Sequence, residues 1–180
     1  MKRIAFTLAA LVVAVSAQAQ GVVNFSTRAG ASVNAPVMYW GDNTLADGRF
    51  LGQLYAAAPN QPLAPVGVPT PFRSDAGKGY ITAGGNVVIP GVLPGGTAKI
   101  MMVAWRSEIG ATYAAAIAYG FGQVGESSTI TITVGGGILP PAPLIGLGAF
   151  SIGVYVPEPA PVALGLLGGG LFLIRRKRGL

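Results

Sequence analysis

Thr97-Ala98-Lys99-Ile100-Met101-Met102-Val103-Ala104-Trp105 is the stretch on which the fold turns. Read at the two-residue period of a strand, it puts Ala98, Ile100, Met102 and Ala104 on one face. Lys99, Met101, Val103 and Trp105 fall on the other. Both faces are largely apolar, so the pattern predicts a central strand covered on both sides. Pro94-Gly95-Gly96 makes a turn just before it, and Pro90-Gly91 opens the same loop.

Working outward, strands are expected at 22–26, 36–40, 51–57, 79–82, 87–90, 128–134 and 149–156 as well. These runs are rich in β-branched and aromatic residues and are separated by Gly, Pro, Asn and Asp. One helix is expected from Tyr113 to Tyr119, with Thr112 as its N-cap and Gly120 as its stop. Residues 59–71 hold five prolines and read as an extended surface segment, and Gly135 to Pro143 reads as an exposed loop. Gly and Pro together make 42 of the 180 residues, which disfavours a helical bundle. The expected fold is all-β, a single β-sandwich domain over 20–156 with one short helix.

Composition excludes several chemistries. Without Cys there is no disulfide framework, thiolate metal site or cysteine nucleophile; without His, Ser-His-Asp catalysis and zinc hydrolysis are excluded. The chain carries 12 basic against 6 acidic residues, yet the excess sits at its ends. Between Gln20 and Val156 lie six basic residues (Arg28, Arg49, Arg73, Lys78, Lys99, Arg106) and five acids (Asp42, Asp47, Asp75, Glu108, Glu126). No basic stripe exists there, so a nucleic-acid partner is not expected.

The ends read as targeting segments. Met1-Lys2-Arg3, the apolar run Ile4 to Val15 and the small residues Ala17 and Ala19 describe a secretory signal peptide over 1–19, cut after Ala19 by a Sec-type export route. At the other end, Pro157-Glu158-Pro159 precedes the apolar run Val162 to Ile174, and Arg175-Arg176-Lys177-Arg178 follows it. Thirteen helical residues span roughly 20 Å, a short transmembrane helix, and the basic cluster is a cytoplasmic membrane stop.

In those residues the segment 157–180 resembles the PEP-CTERM sorting signal of exported bacterial proteins. The resemblance implies recognition of Pro157, Glu158 and Pro159 by an exosortase, a membrane transpeptidase. It further implies transient anchoring in the inner membrane, then delivery to the cell surface or extracellular matrix. The body is similar to verrucomicrobial-type members of that family in Val22-Val23-Asn24-Phe25, Gly52-Gln53-Leu54-Tyr55, Pro71-Phe72-Arg73, Pro94-Gly95-Gly96-Thr97 and Ala104-Trp105. That set implies no activity.

Four constellations in the body bear on chemistry. Asp42-Asn43-Thr44-Leu45-Ala46-Asp47-Gly48 clusters oxygen ligands but lacks the acid that closes an EF-hand loop, and suits a hairpin equally. The five acids could furnish a glycosidase pair only if two faced each other across a cleft. Trp40, Tyr55, Tyr80, Trp105 and Tyr113 could form a sugar-stacking platform or serve the core. Thr129-Ile130-Thr131-Ile132-Thr133 reads as a half-buried strand with a polar outer face. No catalytic, cofactor or metal residue is assigned. The sequence reading is therefore an exported, non-enzymatic surface or matrix protein. A secreted carbohydrate-binding module or adhesin, with exopolysaccharide as partner, is the alternative, and a polysaccharide-acting hydrolase the third.

Overall fold

A computed structural model describes residues 20–40, 44–119 and 123–154. Signal residues Ala17 and Ala19, the motif Pro157-Glu158-Pro159, the apolar run 162–174 and the basic cluster 175–178 lie outside them. Among the described residues no helix is long and apolar enough to cross a membrane.

The described chain is mostly β. Its strands are β1 (Gly21–Asn24), β2 (Arg28–Ala29), β3 (Val33–Asn34), β4 (Val37–Tyr39), β5 (Thr44–Leu45), β6 (Phe50–Ala57) and β7 (Ala64–Pro71). They continue with β8 (Asn86–Ile89), β9 (Thr97–Arg106), β10 (Gln123–Glu126), β11 (Ile130–Thr133) and β12 (Phe150–Val154). The helix α1 (Tyr113–Ala118) lies between β9 and β10. The main sheet is curled and runs β5-β4-β12-β10-β9-β6-β7, with β11 also on β9; β1 pairs β8 and β2 pairs β3 separately.

β9 is covered on both faces, as its sequence predicts. Ala98, Ile100, Met102 and Ala104 are fully buried in the main core, which also takes in Val23 of β1 and Val87 and Ile89 of β8. This core fills the space between the curled sheet and the β1–β8 pair. On the opposite face Val103 and Trp105 pack with Val124, Tyr113 and Ala116. Each fully buried Ile or Leu contributes about 1.5–3 kcal/mol. The helix is short, six residues, and could not persist alone. It is held by Tyr113 and Ala116 on the sheet and by the Thr112 hydroxyl oxygen, which accepts the Ala115 N–H at 3.2 Å. The expected cap is thus present; the expected stop, Gly120, lies outside the described residues.

Strand β9 has two partners along one edge. β10 pairs with its C-terminal half and β11 with its N-terminal half, both antiparallel. Glu126 faces Val103 and Ile130 faces Ile100, so three residues, 127–129, oppose two. That bulge reverses which face each later side chain takes. Without it Ile130 would fall opposite Lys99 on the outer face. With it Ile130 and Ile132 join the core, and Thr129, Thr131 and Thr133 stay exposed.

Three expectations are refined or corrected. Residues 64–71 are extended and mostly exposed, as expected, but they are paired: they form strand β7, the edge beside β6. The Phe72 N–H donates to the Phe50 carbonyl at 3.2 Å, so Leu51 and Pro71, the next pair, turn their backbone groups away from each other. Tyr55 and Pro65 are four β6 residues along and share that phase. Both prolines therefore occupy positions whose missing N–H would have faced outward, which an edge strand tolerates. Between Gly52 and Leu54 the register shifts, and there the Gln53 side-chain amide donates to the Gly67 carbonyl at 3.1 Å.

The expected strand 79–82 is absent. Its backbone bonds go to three different segments: Val37 N–H to Gly79, Arg73 N–H to Tyr80 and Thr27 N–H to Ile81. Ile81 is fully buried, but no single neighbour provides a ladder. Residues 135–143 are also not simply an exposed loop. Gly135 exchanges both backbone bonds with Val22, and the Asn24 N–H donates to the Ala142 carbonyl, so β1 is held between this segment and β8. Only the tip, at Ile138, stands fully in solvent.

Candidate functional site

The five aromatic residues named as a platform do not form one. Trp105, Tyr113 and Tyr55 cluster on the outer face of β9 and β6, with Tyr113 to Trp105 ring centroids 5.9 Å apart and Tyr55 to Tyr113 6.0 Å apart. Trp105 is buried beneath α1, whose first residue, Tyr113, is itself buried against it. The Trp105 indole N–H donates to the Gly110 carbonyl at 2.8 Å, and the Tyr113 hydroxyl donates to Glu126 at 2.8 Å. Tyr55 is half-buried; burial pushes its hydroxyl pKa up, and the Glu126 charge adds to that. This cluster is the second core with one polar edge, not an open sugar surface. Tyr80 lies elsewhere, under the Arg28 guanidinium at 5.1 Å, and its hydroxyl donates to Asn34 at 2.7 Å. Trp40, just beyond β4, is 77% exposed and is the one Trp free to stack on a ligand among the described residues.

The acids are dispersed and individually engaged. Asp47 takes both its oxygens to Arg49, at 2.9 and 3.0 Å, and its pKa is lowered chiefly by that bond. Asp75 binds Arg73 and accepts the Gly77 N–H at 2.8 Å; the Arg73 hydrogen bond is the main cause holding its carboxyl at about 2. Glu108 pairs with Arg106 at 2.8 Å. Each of these pairs is two residues apart in sequence and ties a loop or strand end to itself. Sequence reading passed over that spacing, although Asp-x-Arg, Arg-x-Asp and Arg-x-Glu were visible. Glu126 accepts from Tyr113 and stands on β10. None of these four carboxylates hydrogen-bonds another. Asp42 and Asn43 lie outside the described residues, and among those described no group of acidic side chains forms a metal cage.

One open groove of about 420 Å³ lies at the β6–β7 turn, lined by Ala56, Ala58, Gln61, Pro62, Pro65 and Pro90 among others. Gln61 is its one polar side chain, so the groove has little with which to orient a polar ligand.

Comparison of this chain with family models, curated proteins and solved structures gives no match.

Proposed function

We infer that this is an exported, non-enzymatic surface or matrix protein whose C-terminal segment is a sorting signal cut by an exosortase. The observation that carries the reading is the composite of Pro157-Glu158-Pro159, a short apolar run and Arg175-Arg176-Lys177-Arg178, in that order. Prolines keep the motif extended, and the basic cluster resists translocation, so the motif is left just outside the membrane. Strand boundaries support the same division. The cut expected after Ala19 leaves one residue, Gln20, before β1 begins at Gly21, and every described strand lies ahead of Pro157. Glu158 is the only charged residue between Glu126 and Arg175 and is the polar handle for the peptidase. In an exosortase-positive host, Glu158→Gln should leave export intact and uncleaved precursor in the inner membrane. Processing at the wild-type rate would remove Glu158 from this role.

A carbohydrate-binding module is the second reading, and exposed Trp40 favours it. A glycan array probed with residues 20–156 and with Trp40→Ala tests it: signal lost in the variant supports a sugar contact, and no wild-type signal argues against one. The hydrolase reading has the least support, since each described acid is occupied by Arg or Tyr.

A further inference from the structure

Strand β12 is the last described element before the sorting motif, and it is an inner strand of the sheet. One of its edges pairs in parallel with β4, Phe150 with Val37 through Ile152 with Tyr39. Its other edge pairs with β10, Val154 with Gln123 and Gly153 with Val124. Ile152 is fully buried, and its carbonyl accepts the Trp40 N–H at 2.9 Å. From Val154 to Pro157 there are three Cα steps, a reach of at most roughly 11 Å.

A peptidase binds its substrate as an extended chain on both sides of the bond it cuts, often by pairing with the backbone. Here the upstream side is β12 itself. Once β12 docks, its backbone groups are taken by β4 and β10, and the chain allows the motif to begin no farther than roughly 11 Å from Val154. Resting on the sorting reading above, we propose that docking of β12 closes the motif to the peptidase, so that cleavage competes with completion of the sheet. The cut breaks one peptide bond near Pro157-Glu158-Pro159. Its acyl carbon passes to the enzyme's nucleophile and then to water or an amine, and the tail leaves with the new amino group. The body supplies no group to that reaction; its fold sets the time during which the bond is reachable.

The test is a pulse-chase of the full chain in an exosortase-positive host, following precursor half-life. A Gly/Ser insertion of about ten residues between Val154 and Tyr155 adds a root-mean-square reach of roughly 17 Å and leaves every described contact in place. It should shorten the half-life several-fold. The same insertion between Gly137 and Ile138, at the exposed tip, should change nothing. Gly125→Ala is the second variant: its new Cβ would press on the Ser151 carbonyl and come within 3.0 Å of the Ile152 Cα, loosening β12 from β10. It too should speed the cut. An unchanged or longer half-life for the Val154 insertion, with wild type processed, overturns the proposal and leaves the sorting reading standing. Wild type that is never cut overturns the sorting reading itself.

Discussion

Ser127 and Met102 hold each other by two hydrogen bonds: the Ser127 N–H donates to the Met102 carbonyl at 2.9 Å, and the Met102 N–H donates to the Ser127 hydroxyl oxygen at 2.9 Å. The side chain takes the place of a backbone carbonyl that the bulge has moved out of line. The hydroxyl in turn donates to the Ser128 carbonyl at 2.9 Å. Ser127→Ala strands a buried N–H in the middle of β9 and should cost about 1–3 kcal/mol. Urea unfolding of residues 20–156 reads this as a lowered midpoint with unchanged slope. A loss below about 0.5 kcal/mol, the range of ordinary surface changes, would mean the hydroxyl is dispensable to the bulge.

Asp75 gives a prediction at acid pH. Its folded pKa is about 2, set first by the Arg73 hydrogen bond, against about 3.9 in an unfolded chain. The folded state therefore binds fewer protons between those values. Whatever stability the pair contributes is fully present above the unfolded value and disappears as pH falls through about 2. Carboxyl NMR titration should show the Asp75 midpoint near 2, moving up toward the ordinary value in Arg73→Gln. A wild-type midpoint near 3.9 would contradict the pairing.

The outward-turned prolines of β7 predict what happens when they are removed. Pro65→Val with Pro71→Val restores two N–H groups on the exposed edge, a template for another strand. The variant should stay folded by circular dichroism and form higher-order species in size-exclusion chromatography at rising concentration. A monomer at every concentration would show that another feature guards this edge.

Export predicts a defined N-terminus. Protein recovered outside the inner membrane should begin at Gln20, read by intact mass or N-terminal sequencing. Retention of Met1 in that material would sink the signal-peptide reading.

The strands whose burial alternates were legible from sequence, and those set by their neighbours were not. Thr97 to Trp105 stated its own two-sided burial, and Thr112 its cap, because both depend on local residue order. β7 was hidden because proline forbids a central strand but not an edge, and a lone sequence does not say which strand is at the edge. Residues 79–82 have strand composition, yet their backbone partners come from three separate segments, which only assembly decides. β10 was missed because Gln123-Val124-Gly125-Glu126 has a single residue with a strong strand preference. For the candidate site, the aromatic residues were identified but not their fate. Trp105 was already placed in a two-sided strand, yet the burial of Tyr113 follows from α1 folding back over it.

The described body has two poles. Gly21 bonds Val92, and Val134 bonds Gly95 and Gly96, so the chain enters beside the Thr97 end of β9. Val154 pairs with Gln123, next to Val124 and Trp105, so it leaves at the other end. Eight residue steps of β9 separate these ends, roughly 26 Å. Leu93, Ile138 and Leu139, all exposed and apolar, sit at the entry pole. Any tether attached at the C-terminal side, whether a lipid anchor, a polymer or a chromatography resin, orients the molecule with those exposed apolar side chains foremost. A tether attached at Gln20 inverts it, so immobilisation chemistry alone decides which surface a binding assay samples.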